Sequence, residues 1–376
     1  MMKEYKFLDL GLANKHLEDE LKQAACRVIE SGWYLHGPET KSLEKELAEM
    51  CGTKHCIGVS NGLDALRLIF KAYIHMGKLH EGDKVIVQAN TYIASVLSIT
   101  DNGLIPVLCE PSESTLNIDS SKVEALIDDD VKAIMVVHLY GTPCWDEKLR
   151  AITEKHHLLV IEDNAQAIGA KAEAVGINGH NITCGLGHAS AISFYPTKNL
   201  GALGDAGAVL TSDETLAAAV KALANYGSDR RYHNIYQGYN CRLDEIQAAM
   251  LRVKLRHLDE ETERRNKIAA TFSQHITNPL VVTPCIFPGM VQVWHQYVVR
   301  VQNRDAFRDY LLSNGIHTDV HYATPPHKQP CYAEMAYCQF PITEKMASEV
   351  VSLPIASPIS IDDAIAIADV INKFQG

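Results

Sequence analysis

Short apolar runs alternate along this chain with longer stretches in which apolar residues recur at helical spacing. The apolar runs predict six strands, at residues 84–89, 105–110, 131–139, 157–162, 189–194 and 207–210. Helical spacing between most of them predicts helices at residues 93–101, 121–126 and 145–156. Because this alternation is typical of βαβ units, the pattern predicts an α/β fold with a mostly parallel sheet.

The pattern changes after the last predicted strand. Residues 215–225 predict an alanine-rich helix that ends before Gly227, and residues 244–274 predict one long helix whose charged second half faces water. The segments that follow predict a smaller α/β unit built from residues 294–301, 305–313, 318–322 and 361–374. We therefore predict a large domain over residues 1–255 and a small C-terminal domain over residues 256–376.

Composition narrows the class of protein. The chain has 376 residues, of which 47% are hydrophobic, enough for a large core. A net charge of -11 without any basic run argues against a nucleic-acid partner. The sequence has neither a signal-peptide core at its N-terminus nor an apolar stretch of about 18 residues. Its ten cysteines form no C-x-x-C pair, so we expect no metal site, no membrane contact and a reducing cytoplasmic location.

Lys198 is the first candidate for chemistry. It follows an apolar strand that ends at Pro196, and glycines lie on its far side. A lysine held on a short turn at the end of a buried strand can be desolvated and lose its proton, as imine chemistry requires. The alternative at this point is an ordinary solvated loop lysine.

Asp163 is the second candidate, because it ends a predicted buried strand and is followed by Gln166. Ligands of open α/β sheets bind outside the carboxyl ends of the strands. A carboxylate there can keep the pyridine nitrogen of pyridoxal 5'-phosphate (PLP) protonated, and lysine with aspartate is the pair that this cofactor requires. The alternatives are a helix cap for Asp163 and an exposed turn residue for Gln166.

A third feature could bind the phosphate of that cofactor. A short predicted strand at residues 54–59 leads into Ser60-Asn61-Gly62, and residues 63–73 then have helical spacing. A glycine turn that begins a helix offers free N–H groups and the positive end of the helix dipole to an anion. Ser193 could add its hydroxyl group. The same turn is also compatible with an ordinary N-cap.

These features occur within a longer series of motifs, and the chain resembles the DegT/DnrJ/StrS sugar aminotransferases of the fold-type-I, aspartate aminotransferase-like class. The resemblance extends over nearly the whole chain. The motifs that carry it lie at residues 60–66, 90–94, 137–141, 162–167, 193–205 and 238–245. It implies a PLP-dependent transaminase in which Lys198 forms the Schiff base and Asp163 holds the pyridine nitrogen.

The resemblance also implies roles for the remaining residues of the cofactor site. Tyr92 matches the aromatic residue stacked on the ring, and Gln166 matches the group near the ring hydroxyl. The phosphate ligands correspond to Gly62, Leu63, Ser193 and Asn240. Because Asn240 matches a ligand donated by the neighbouring subunit, we expect a homodimer with shared sites. From the residues alone, Tyr92 could equally be a core aromatic and Asn240 a helix cap.

Within the family, the chain is most similar to 3-aminotransferases of dTDP-3-keto-6-deoxyhexoses, with L-glutamate as the implied amino donor and 2-oxoglutarate as its product. Candidate substrate residues are Arg230, Arg231 and Tyr226 in a tyrosine-rich loop, His321 and Tyr322 by family match, and Trp33 and Tyr34 near the N-terminus. Guanidinium groups suit a diphosphate, and tyrosines suit a base or sugar. A solvated basic turn and a strand-end pair in the core are the alternatives for the arginines and for the His-Tyr pair.

Other functions remain open at this stage. A 4-aminotransferase of the same family would differ only in the keto position of its substrate. Related sugar dehydratases have histidine in place of the lysine, so Lys198 argues against that activity. A non-catalytic sensor with this fold is a further alternative. The chain also departs from the family pattern, with a longer segment between Gln166 and Ser193, Gly187-His188, and Ile168.

Overall fold

The computed structural model describes residues 3–356 and 358–376. Residues 1, 2 and 357, which belong to the two predicted domains, lie outside the described residues. The strands are β1 (His55–Val59), β2 (Lys84–Gln88), β3 (Ile105–Cys109), β4 (Val131–Val137), β5 (Leu159–Asp163), β6 (Ala189–Ser193), β7 (Gly207–Thr211), β8 (Ser228–Arg230), β9 (His233–Asn234), β10 (Tyr297–Arg300) and β11 (Val350–Leu353). The helices are α1 (Leu10–Ala13), α2 (Glu18–Ser31), α3 (Pro38–Cys51), α4 (Gly62–His75), α5 (Ile93–Thr100), α6 (Ser120–Val123), α7 (Glu147–Lys155), α8 (Glu214–Ala224), α9 (Glu245–Leu255), α10 (Leu258–His275), α11 (Arg304–Ser313), α12 (Pro341–Glu349) and α13 (Ile361–Ile371).

Seven strands form one sheet, in the order β1-β7-β6-β5-β4-β2-β3. Four neighbouring pairs are parallel: β3 with β2, β2 with β4, β4 with β5, and β5 with β6. In contrast, β7 runs antiparallel to both β6 and β1. All six predicted strands are present, and the predicted mostly parallel α/β fold is confirmed. Since β1 and β6 are both antiparallel to β7, β1 points the same way as the parallel strands.

Alternation of side chains along the strands divides the core between the two faces of the sheet. On β2, Val85 and Val87 pack in one cluster with α4, α5 and α8. Ile86 points the other way, into a second cluster that contains Leu149 and Ile152 of α7. Because both faces are covered by helices, the strands are apolar at nearly every position, as in parallel sheets generally.

The prediction of one long helix over residues 244–274 is wrong, because α9 ends at Leu255 and α10 begins at Leu258. Each helix packs against a different core. Val253 of α9 contacts the α2 cluster, whereas Phe272 of α10 belongs to the cluster of β10, β11, α11 and α13. A straight helix could not reach both cores. The helical spacing of apolar residues also predicts that Ile246 points inward, but it is 36% exposed.

The break between α9 and α10 coincides with the predicted domain boundary at residue 255, although that boundary itself stays a prediction. Among the contacts that cross it, Tyr5 forms a parallel bridge with Ile316, so the N-terminal segment pairs with residues of the predicted small domain.

The longer segment before Ser193 is held against β5 by a buried carboxylate. Glu162 accepts hydrogen bonds from the backbone N–H groups of Cys184 and Gly187, each at 2.9 Å. His138 Nε2 lies 3.0 Å from the same carboxylate. Since the Cys144 N–H donates to Nδ1 of His138, the imidazole proton is on Nε2 and donates to Glu162. Three buried donors therefore converge on one carboxylate.

We expect Glu162→Gln to lower the free energy of unfolding by about 2 kcal/mol, because the new NH2 group would face a buried donor and leave it unsatisfied. Urea unfolding of both proteins measures the difference. Glu147→Gln, which alters a largely exposed glutamate of α7, is the matched control and should change stability little. An unchanged midpoint in Glu162→Gln would contradict this interpretation of the network.

Candidate active site

A cavity of about 490 Å³ opens at the carboxyl edge of the sheet. The segments that follow β1, β2, β5 and β6 form its walls, as expected for a ligand site in an open α/β sheet. Ten residues that define it are Gly62, Leu63, Tyr92, Asp163, Gln166, Ser193, Lys198, His295, His321 and Tyr322. Nine of these are candidates from the sequence, and the fold brings them to one place.

Lys198 lies on the turn between β6 and β7. Its backbone N–H donates to the Tyr195 carbonyl at 2.8 Å, and the Ala202 N–H returns to the Phe194 carbonyl at 2.8 Å, which closes the turn. Burial lowers the pKa of the Lys198 ammonium from 10.5 to about 8, while the nearby Asp163 carboxylate opposes the shift. Lys198 is therefore not a solvated loop lysine, and near neutral pH its amine can be both protonated and deprotonated.

The lowered pKa of Lys198 has a cost in stability. Below about pH 8 the lysine is charged in both the folded and unfolded chain, so the full cost of its burial is present. Between pH 8 and 10.5 the unfolded chain binds more protons, so stability rises with pH. We expect Lys198→Met to stabilise the ligand-free protein by up to about 3 kcal/mol at pH 7.

Urea unfolding at a series of pH values tests this expectation. The gain from Lys198→Met should shrink as pH rises from 8 towards 10.5. Lys148→Met, which changes an exposed lysine of α7, serves as the control and should show no such pH dependence. A gain that is constant with pH would show that Lys198 does not carry the titration.

Asp163 is the last residue of β5, and its side chain is 6% exposed. Oδ2 accepts a hydrogen bond from Ser95 Oγ at 2.7 Å, and Oδ1 accepts one from the Ala165 N–H at 3.2 Å. The Ala165 contact resembles a turn cap, so the capping alternative describes part of the geometry. The Ser95 contact comes from another element, and the carboxylate also lines the cavity.

Gln166 is buried rather than an exposed turn residue. Its Oε1 accepts the Tyr140 N–H at 2.6 Å, and its Nε2 donates to the Tyr322 hydroxyl at 2.9 Å. The Tyr322 ring packs against Tyr92, with ring centroids 5.0 Å apart. Tyr92 is 52% exposed and is the N-cap residue of α5, so it is not a core aromatic. Gln166 and Tyr92 thus hold Tyr322 at the cavity wall.

His321 lines the same wall. Its Nδ1 lies 2.8 Å from Ser352 Oγ, and its carbonyl accepts a hydrogen bond from the Tyr140 hydroxyl. Burial lowers the pKa of His321, with Asp319 opposing that shift and Lys198 adding to it. His321 is therefore a mostly neutral imidazole near neutral pH.

The predicted phosphate-binding turn leads into α4. Asn61 is the N-cap, and its side chain accepts the Asp64 N–H at 2.8 Å. Gly62 and Leu63 begin the helix, so their N–H groups face the cavity side without helical acceptors. A Cβ on Gly62 would lie 2.6 Å from the Ser193 Cβ. Glycine is thus required for the close approach of Ser193 to this helix start.

The remaining candidates are exposed and do not line this cavity. These are Asn240, Arg230, Arg231, Tyr226, Trp33 and Tyr34. Asn240 is not a helix cap, because Asp244 is the N-cap of α9 and Asn240 instead bridges Asn225. The Arg231 guanidinium packs over the Tyr232 ring at 4.9 Å. Their roles at the site stay predictions.

Some residues of the site were not expected from the sequence: Thr91, His295 and Gln296 line the cavity, and Ser95 lies behind its wall, bonded to Asp163. Ser95 is fully buried on α5. His295 and Gln296 come from the segment before β10. Only a polar residue within an apolar helix, and a His-Gln pair at the start of the predicted segment 294–301, could have suggested Ser95, His295 and Gln296.

The longer segment does not alter the cavity. Of residues 171–188, none lines it. Lys171 bridges Ile182 and Val291 instead, and Ile168 is buried in a core cluster behind β6. His188 accepts the Val160 N–H at 2.9 Å. These departures from the family pattern therefore affect the core rather than the walls of the site.

The described residues contain neither a metal cluster nor a membrane-spanning helix. Among residues 3–356 and 358–376, no three His, Cys, Asp or Glu side chains are grouped to hold a metal ion. Within the same ranges, no helix has the length and apolar character needed to cross a bilayer.

Comparison with known proteins gives a consistent set of matches. A profile described as the DegT/DnrJ/EryC1/StrS aminotransferase family matches residues 15–372. A dTDP-3-amino-3,6-dideoxy-alpha-D-galactopyranose transaminase from Aneurinibacillus thermoaerophilus is 48% identical, over 98% of this chain and 99% of that relative. The erythromycin biosynthesis sensory transduction protein EryC1 from Saccharopolyspora erythraea is 43% identical, over 95% and 96%. The crystal structure of S. venezuelae DesV in complex with a ketimine intermediate superposes with a TM-score of 0.93, at 40% identity and covering 98% of both chains.

Proposed function

Because this chain belongs to the DegT/DnrJ/EryC1/StrS aminotransferase family of PLP-dependent sugar aminotransferases, we propose that it moves an amino group from L-glutamate to C3 of a dTDP-3-keto-6-deoxyhexose. The observation that carries the proposal is a desolvated lysine beside a buried aspartate in the cavity at the carboxyl edge of the sheet. The 48% identical relative is named for a 3-amino-3,6-dideoxyhexose, which favours amination at C3.

The residues around the cavity fit PLP. Gly62, Leu63 and Ser193 form a seat for the phosphate, where a side chain on Gly62 would leave no room. Asp163 offers a buried carboxylate to the pyridine nitrogen, and Lys198 offers a partly neutral amine to the aldehyde carbon. PLP supplies an electron sink that makes the α-hydrogen of a bound amine acidic. The fold class and the cofactor thus agree with the family assignment.

Residues of this chain would then carry out the proton transfers. With PLP bound, the Lys198 amine would be placed to accept the proton from the α-carbon of the amino donor and to deliver it to the C4′ carbon of the cofactor. A pKa of about 8 suits this role, because a general base works best when its pKa lies near the working pH. Asp163 would present its carboxylate to the ring nitrogen, and Tyr92 would cover one face of the ring. The Tyr140 N–H orients the Gln166 amide, so that its Nε2 donates to the Tyr322 hydroxyl.

The sugar nucleotide needs more space than the cofactor cavity provides. A second cavity of about 590 Å³ shares Thr197, His295, Gln296 and His321 with the first. We assign the sugar to this junction, where His321 and Tyr322 can contact its hydroxyl groups. The nucleotide would extend outward from there.

We further propose a homodimer in which exposed residues of one subunit complete the cavity of the other. Asn240 would reach the phosphate seat of the partner, and Arg230 and Arg231 would contact the diphosphate of the nucleotide. Tyr226, Trp33 and Tyr34 are each more than half exposed, and such large exposed aromatics favour burial at an interface. A cytoplasmic location fits an enzyme that uses nucleotide sugars and L-glutamate.

An absorbance experiment tests the proposal in two half-reactions. L-glutamate alone should convert the visible band of the PLP enzyme into that of the amino form, and a dTDP-3-keto-6-deoxyhexose should restore it. Such separable steps predict ping-pong kinetics. Restoration by 4-keto sugars only would instead identify a 4-aminotransferase of the same family.

The name of the EryC1 relative describes sensory transduction, so a non-catalytic sensor is the alternative of a different class. A sensor would retain PLP yet show no band change with any pair of donor and keto-sugar. Lys198 in a desolvated position favours catalysis, because binding alone does not require an amine with a pKa near 8.

A further inference from the structure

Two buried hydroxyl groups connect α5 to Asp163. Ser95 is fully buried and Thr91 is 1% exposed. Ser95 Oγ donates to Asp163 Oδ2 at 2.7 Å, and Thr91 Oγ1 lies 2.7 Å from Ser95 Oγ. The result is a chain of three polar side chains that ends on the carboxylate at the cavity wall.

The hydrogen bonds that join these three side chains can point in only one direction. An ionised carboxylate accepts hydrogen bonds and donates none. Ser95 must therefore use its single proton towards Asp163, which leaves its oxygen free to accept the proton of Thr91. Hydrogen bonds aligned in this way strengthen one another inside a protein.

We propose that Thr91 and Ser95 are positioning residues that act on the cofactor through Asp163. Their relay stabilises the negative charge of the carboxylate and fixes its orientation, so that the PLP ring nitrogen opposite it keeps its proton. The inference rests on the proposed role of Asp163, and it extends that role to a fully buried serine and to Thr91, which lies at the edge of the cavity.

The position of the relay at the start of α5 supports this assignment. Ser95 lies in the first turn of the helix, and Thr91 directly precedes the N-cap residue Tyr92. Tyr92, which is proposed to cover the ring, is the N-cap of the same helix. One short helix thus fixes both the ring face and the carboxylate. Ser98, by contrast, donates only to the Ser95 carbonyl at 2.7 Å, an ordinary local bond within a helix.

An analogue of the cofactor separates this role from simple packing. 1-Deazapyridoxal 5'-phosphate has carbon in place of the ring nitrogen, so it has nothing to gain from a charged Asp163. We expect Ser95→Ala to weaken binding of PLP about 10- to 100-fold and to leave binding of the analogue unchanged. The pH titration of the visible band of bound PLP should shift as well. Thr91→Val should act in the same direction with a smaller effect, and Thr91→Ser should restore binding.

Ser98→Ala is the matched control, since it removes an equally buried serine of α5 and should change neither affinity. Equal weakening of PLP and the analogue by Ser95→Ala would overturn the relay, because the hydroxyl would then only support the fold. Asp163→Asn, measured in parallel, should also weaken binding of PLP more than binding of the analogue. Equal weakening of both by Asp163→Asn would refute the role of Asp163 itself. A selective loss of PLP affinity in Asp163→Asn but not in Ser95→Ala would refute the relay alone.

Discussion

Lys198→Ala is expected to lower kcat/KM for amino transfer by about 10⁴-fold or more, at the upper end of what one acid–base group contributes. The variant removes both the amine that would bond to the aldehyde carbon and the base that would move the α-proton. Single-turnover absorbance changes with L-glutamate measure the proton step directly. Because the site retains its phosphate seat and Asp163, the variant should still bind PLP without a covalent bond.

Lys254 provides a matched control for this prediction. Burial lowers its pKa to about 8, as for Lys198, but its ammonium donates to the Gly201 carbonyl at 2.7 Å and does not line the cofactor cavity. We expect Lys254→Ala to reduce kcat/KM less than about 10-fold, through a small loosening of the turn that carries Lys198. Comparable losses of kcat/KM in the two variants would contradict the catalytic role of Lys198. They would show that its lowered pKa alone does not identify a catalytic lysine.

The sheet and the centre of the site could be predicted because each depends on a local pattern. Apolar runs define strands buried on both faces, and polar residues at their carboxyl ends must meet at one edge of a parallel sheet. Asp163 ends β5 and Lys198 follows β6, and these two strands are neighbours in the sheet. Their proximity therefore follows from the strand order once the alternation of strands and helices is recognised.

Other features depend on tertiary packing and left no local pattern. The break between α9 and α10 has neither glycine nor proline at residues 256 and 257, and it arises because the two helices pack against different cores. Ser95 looks like any small residue of a buried helix until Asp163 is placed beside it. The proposed roles of Asn240 and Arg230 require a second chain, so their prediction needs the family resemblance.

Asp163→Asn is the second prediction with a large expected effect. An amide cannot supply the negative charge that keeps the ring nitrogen protonated, so the electron sink would weaken while the size of the side chain stays the same. We expect kcat to fall by about 10²- to 10³-fold, the usual cost of removing one group aimed at developing charge. The loss should appear in the single-turnover proton step with glutamate, with little change in the free energy of unfolding.

Glu162→Gln is the informative comparison, because residues 162 and 163 are consecutive on β5 and their side chains point to opposite faces of the sheet. Glu162 is tied to His138 and to the longer segment, whereas Asp163 lines the cavity. The two amide variants should therefore have opposite effects. Glu162→Gln should lower the free energy of unfolding and leave kcat unchanged, whereas Asp163→Asn should lower kcat and leave the free energy of unfolding unchanged. If Asp163→Asn instead unfolded more easily and kept its kcat, the carboxylate would be part of the core, and its proposed contact with the pyridine nitrogen would be wrong.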